Sequence, residues 1–203
     1  MYYCWSSNWL SSDKIIHFFA ALLCMGREIV YVDMDGVLVD FPNSIDHIQP
    51  SIRENCIAWV NQDPKNNDWT DFEGLFASLL PKDGIQEAID RLEVKFEVYL
   101  LSTAPWKSHS SLSDKRRWIA KYLPNLPEKR LILSHRKDLN RGRYLIDDRP
   151  KNGACKEESR GISRGFGDYD NQEWIHFGCN GCENESCNQP LPNWDAVLDY
   201  LGC

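Results

Sequence analysis

Short apolar runs alternate with amphipathic stretches along most of the chain. Ile29, Val30, Tyr31 and Val32 form a β-rich run that ends at Asp33, and Phe96 to Leu101 repeats the pattern before Ser102 and Thr103. Leu131 to Leu133 is a third run; Tyr144 to Ile146 is a fourth, leading into Asp147 and Asp148. Continuous apolar runs of this length predict strands buried on both faces. Between and after them, Ile85, Ala88, Ile89 and Leu92 recur at helical spacing, as do Trp118, Ile119, Tyr122 and Leu123, and then Trp194, Val197, Leu198 and Leu201. Strands alternating with helices predict an α/β fold with a parallel sheet covered on both faces. All four strands finish in, or lead directly to, polar residues, and in such sheets ligands bind beyond the carboxyl ends of the strands.

The segment from Phe41 to Leu80 interrupts this alternation. It carries a helical stretch around Ile52, Cys56, Ile57, Trp59 and Val60, a polar passage from Asn61 to Asp68, and then Trp69, Phe72, Leu75, Phe76 and Leu79. It predicts a small helical cap, 41–80, inserted after the first strand. Residues 27–203 are expected to form one folding unit, because 203 residues suffice for one full core but are short for two. Within that unit, 156–190 is expected to be an atypical loop region. The apolar run Ile15 to Met25 follows a single basic residue, Lys14, and is too short to span a bilayer. It lies so close to the first strand that cleavage would leave almost no leader. Residues 1–26 are therefore expected to be an N-terminal extension outside the fold, with a signal or anchor as the alternative.

Composition narrows the function classes. With 42% hydrophobic and 26% charged residues, the chain is neither disordered nor fibrous, and it is expected to act alone or as a simple oligomer such as a homodimer. A net charge of −7 argues against binding polymeric nucleic acid, which needs many cations on phosphates. A small phosphorylated ligand remains compatible, since one metal ion and a few local cations can hold it. Of the eight cysteines, five follow position 150, so there is no regular disulfide framework and a reducing, cytoplasmic setting without membrane attachment is expected. His176, Cys179, Cys182 and Cys187 have short spacings that zinc would accept; free thiols or an incidental disulfide are the alternatives.

Asp33-Met34-Asp35-Gly36-Val37-Leu38-Val39-Asp40 is the most informative stretch. Two carboxylates two residues apart, after a buried strand and before a glycine turn, can converge on one site, one attacking phosphorus while the other moves a proton. Alone, the stretch would equally suit an ordinary turn or helix cap. Three further elements appear in order: Ser102-Thr103-Ala104-Pro105 after the second strand, Lys137, and Asp147-Asp148-Arg149-Pro150 after the fourth.

Together these elements resemble the four motifs of the haloacid dehalogenase superfamily, and most closely its 5'(3')-deoxyribonucleotidases. The resemblance covers 29–153 and resumes at Trp174 to Gly178 and Pro192 to Leu201. It implies a Rossmann-like sheet and a Mg²⁺-dependent phosphomonoesterase acting on nucleoside monophosphates through an aspartyl-phosphate. In that reading Asp33 is the nucleophile and Asp35 the acid–base group. Thr103 and Lys137 bind phosphate, and Phe41 packs near the base, with a hydrophobic contact between cap and core as its alternative. Asp33, the Asp35 carbonyl and Asp148 hold the metal, supported by Asp147. Ala104 departs from the pattern, standing where human-type members carry a phosphate-holding serine. Two other readings remain open: a phosphatase for another small phosphoester such as a sugar phosphate, and a catalytically idle binding protein with a Cys-rich metal loop.

Overall fold

The computed structural model describes residues 26–153, 165–178 and 190–203. Cys179, Cys182 and Cys187, nearly all of the N-terminal extension and most of the atypical loop region lie outside the described residues. Five strands form one sheet: β1 (Ile29–Val32), β2 (Glu97–Ser102), β3 (Leu131–Leu133), β4 (Tyr144–Asp147) and β5 (Glu173–His176). All pairings are parallel, in the order β3-β2-β1-β4-β5. Four of these strands coincide with the apolar runs. β5 was not among them, because glutamate and histidine frame only two apolar residues, Trp174 and Ile175.

Alternate strand residues enter two cores. Val30, Val32, Leu100, Ile146 and Ile175 pack with α3 (Ile85–Lys95) and α5 (Trp194–Leu201), which bury their predicted stripes; Tyr31, Leu101, Leu145 and Trp174 pack with Phe166 on the opposite face. At the start of α5, the Asn193 side chain accepts from the Ala196 N–H at 3.0 Å, satisfying a donor that the first helical turn leaves free.

The chain runs outward from β1 to β2 to β3 and then returns to place β4 on the other side of β1. This reversal opens a crevice beyond the carboxyl ends of β1 and β4. Asp33 follows β1, and Asp147 ends β4. Between β1 and α3 the chain passes through a paired neck, where the Asp40 N–H donates to the Leu80 carbonyl at 3.1 Å and the Lys82 N–H to the Leu38 carbonyl at 2.8 Å. Beyond the neck lie α1 (Pro50–Gln62), which fully buries only Cys56, and the short α2 (Leu75–Ser78). α2 rests against α4 (Ser111–Tyr122), the helix connecting β2 to β3.

Candidate active site

Asp33 is set by the sheet itself: its N–H donates to the Ile146 carbonyl at 2.9 Å, continuing the β1–β4 ladder one residue past the strand. The chain then folds back over Met34, whose carbonyl accepts from the N–H groups of Leu38 and Val39, both at 2.9 Å. Gly36 makes this turn with φ of +84°, and a Cβ there would lie 2.2 Å from Asp148 Oδ2. Only glycine meets both demands without strain.

Lys137 is buried between two carboxylates, with Nζ 2.7 Å from Asp33 Oδ1 and 2.5 Å from Asp147 Oδ2. Burial pulls its ammonium down, but the charges of Asp33 and Asp147 outweigh that cost and the net direction is up. Asp147 is otherwise saturated, accepting from the Arg149 N–H at 2.8 Å and from the Asn152 amide. β5 holds the backbone of the acidic pair: the Trp174 indole donates to the Asp147 carbonyl at 3.1 Å, and His176 Nε2 donates to the Asp148 carbonyl at 3.2 Å. That bond occupies one of the two nitrogens with which His176 would bind zinc.

Asp148 differs from its neighbour. Its Oδ1 is buried without a partner among the described residues, and burial, followed by the charges of Asp147 and Asp33, pushes its carboxyl up to about 7. Carboxylate oxygens of Asp33, Asp147 and Asp148 lie within 4.8 Å of one another. An all-oxygen set with one unsatisfied acceptor suits a hard divalent cation, whose charge would relieve the repulsion that raises Asp148.

Asp33, Asp35, Thr103 and Lys137 line one cavity of about 110 Å³, with His135, Arg149, Lys151 and Asn152 around them. The Thr103 hydroxyl donates to the Ser134 carbonyl at 3.2 Å. Phe41 lines a different cleft, with Asp40, His47, Arg53 and Leu80; its ring packs against those of Trp69 and Phe76 at 5.9 and 6.0 Å. Asp35 is gripped by Lys115, whose Nζ lies 2.8 and 2.7 Å from its two oxygens. Burial raises the Asp35 carboxyl, Lys115 opposes this, and the net direction is up.

The family model for the cytosolic type C 5'-nucleotidases, described as deoxy and pyrimidine, matches residues 27–182. The chain belongs to this family. With it comes a phosphomonoesterase activity. Among relatives, a protein of Vibrio phage KVP40 with the provisional name 5'(3')-deoxyribonucleotidase is 42% identical over 175 residues, covering 86% of this chain and 85% of its own. The 5'(3')-deoxyribonucleotidase of Bacillus subtilis is 28% identical over 134 residues, covering 60% and 76% respectively. A haloacid dehalogenase-like hydrolase structure from Burkholderia xenovorans aligns over 74% of this chain and 81% of its own, with 14% identity and a TM-score of 0.41.

Lys115, His135, Lys151 and Asn152 escaped the motif reading of this nucleotidase, and Arg149 entered it only as part of the fourth motif, without a role. For Lys115 a signal existed. Running the α4 stripe back two turns from Trp118 reaches Lys115, Asp114 and then Ser111, polar residues at positions that face the interior, and all three are buried. A charge on the buried face of an amphipathic helix implies a buried partner.

Proposed function

We propose that this nucleotidase hydrolyses deoxyribonucleoside 5'-monophosphates with Mg²⁺ through an aspartyl-phosphate on Asp33. The observation that carries this is the convergence of Asp33, Asp35, Thr103 and Lys137 on one cavity beside the acidic cluster. Asp33, the Asp35 carbonyl and Asp148 would hold the ion. When bound, Mg²⁺ supplies the positive charge that a dianionic monoester needs to approach a carboxylate.

Asp33 attacks phosphorus, and the bond to the nucleoside oxygen breaks as Asp35 gives that oxygen a proton. Asp35 then takes a proton from the water that cleaves the acyl phosphate, which restores both residues. Its raised carboxyl supports the first role and the opposing pull of Lys115 and Lys137 the second. Lys137 neutralises phosphoryl charge, and Thr103 donates to a phosphoryl oxygen once its hydroxyl turns from Ser134. Asp147, saturated by protein donors, serves to anchor Lys137. Arg149 and Lys151 at the cavity give a local attraction for phosphate within a chain of net charge −7.

Among the described residues no helix is long and apolar enough to cross a membrane, and Cys56 and Cys203 are free thiols. The free thiols accord with a reducing, cytoplasmic setting. One observation keeps a second substrate reading, a sugar phosphate, in play: Phe41 lines a cleft other than the catalytic cavity.

Phosphate release from nucleoside and sugar monophosphates, with Mg²⁺ and with chelator, tests the proposal. Wild type should favour deoxynucleotides and fall silent with chelator, and Asp33→Asn should lose at least about 10⁴-fold. Full rate in that variant would remove the mechanism. Activity confined to sugar phosphates would keep the chemistry and remove the substrate.

A further inference from the structure

Lys115 enters the steps above only through its charge beside Asp35, yet its side chain is only 1% exposed. Taking an ammonium out of water is costly, so what offsets that cost is informative. Among the described residues its one ion pair is with Asp35: Nζ donates to both carboxylate oxygens, at 2.8 and 2.7 Å. It also lies 4.3 Å from the centroid of the Phe76 ring, a cation over an aromatic face.

Its neighbours on α4 are anchors too. Asp114, one residue before, accepts from the Gly74 N–H at 3.1 Å and from the Ser110 hydroxyl at 2.7 Å, holding the start of α2. Trp118, one turn later, donates its indole N–H to the Leu79 carbonyl at 3.0 Å, holding the end of α2. Between these two clamps, Lys115 joins Phe76 of α2 to Asp35 of the catalytic turn. Phe76 in turn packs on Phe41.

We infer that Lys115 is a positioning residue: seated on the cap aromatic Phe76, it aims the Asp35 carboxyl at the leaving oxygen of a bound phosphoester. Two donors on one carboxylate fix its plane as well as its place, and a protonated carboxyl still offers an acceptor oxygen, so the grip survives the change of protonation state. Cap packing thereby sets catalytic geometry, and a cap that seats poorly loosens Asp35. The inference rests on the acid–base reading of Asp35.

The test compares two leaving groups. kcat/KM covers the steps up to departure of the leaving group. Thymidine 5'-monophosphate needs a proton there, whereas p-nitrophenyl phosphate releases a stable phenolate without one. Lys115→Met should lose about 10²-fold on thymidine monophosphate and less than about fivefold on the aryl phosphate. The retained aryl activity also shows that the variant folds. Lys115→Gln, which leaves a donor for one oxygen, should fall between wild type and Met. Asp35→Asn, run in parallel, should show the same dependence on leaving group. Equal losses on both substrates for Lys115→Met and Lys115→Gln, with Asp35→Asn still discriminating, would overturn the positioning role alone. Equal losses in Asp35→Asn would overturn the acid reading beneath it.

Discussion

The strand-end crevice and the cap are built by different means. In the crevice, Asp33, Thr103, Asp147 and Asp148 lie at or just beyond the ends of three parallel strands; main-chain bonds of the sheet place Asp33 and Asp147, and the neighbouring strand's Trp174 and His176 hold the carbonyls of the acidic pair. The cap helix α2 is seated by side chains 36 to 40 residues away in sequence, from Ser110, Asp114 and Trp118. Backbone placement tolerates almost no change in the residues that make the turn, whereas side-chain seating can be weakened one bond at a time. On the proposed mechanism, phosphate chemistry sits on the rigid part, and the parts that would distinguish one phosphoester from another sit on the adjustable part.

The sharpest break of this contrast is at Gly36. Alanine there meets both a positive φ, costing about 1–2 kcal/mol, and an Asp148 oxygen 2.2 Å from its Cβ. Asp148 must move, and the turn carrying Asp35 must shift with it. Gly36→Ala should lower kcat/KM at least about 10²-fold on thymidine monophosphate and p-nitrophenyl phosphate alike, with a folded circular-dichroism spectrum. Near-normal rates would show that the placement of Asp148 is not needed.

The same contrast explains what could be read from the amino acids alone. Strand-end residues follow contiguous apolar runs, so β1, β2, β3 and β4 and the acids after them were legible, as were the buried stripes of α3 and α5. β5 was legible only as a strand-like run around His176, because two apolar residues mark a strand weakly and its pairing with β4 does the rest. α1 was legible as a helix, but Ile57, Trp59 and Val60 are only half-buried; a thin cap has no second layer to cover them. The burial of Lys115 is legible in the α4 stripe, but not its partner, which lies 80 residues earlier, a separation that no local period encodes. Phe41 was read as packing near a base, and in the structure its ring neighbours are Trp69 and Phe76.

Phe41 offers a smaller, more selective test of the adjustable part. If a nucleobase stacks on the aromatic group it leads, removing the ring forfeits about 1–3 kcal/mol. Phe41→Ala should then lower kcat/KM about tenfold or more on deoxynucleotides, and less than about threefold on glucose 6-phosphate or the aryl phosphate. Proportional losses on all three would mean that Phe41 serves cap packing alone, and would favour the sugar-phosphate reading.

The smallest expected effect tests the seat of the cap directly. Trp118 is 1% exposed, and its indole N–H is the bond that holds the Leu79 carbonyl at the end of α2. Phenylalanine keeps most of the apolar volume and removes the donor, leaving a buried carbonyl unpaired at a cost of about 1–2 kcal/mol. For a domain of this size that corresponds to a melting temperature lower by about 2–8 °C. The sheet and its strand-end carboxylates make no bond to the indole N–H, so kcat/KM on p-nitrophenyl phosphate should stay within about twofold of wild type. On thymidine monophosphate the loss should be larger, though still below about tenfold, because a looser α2 lets Phe76 and hence Lys115 drift from Asp35. A drop shared equally by both substrates would place α2 among the rigid parts, and the division between a backbone-built crevice and a side-chain-seated cap would have to be redrawn at α4.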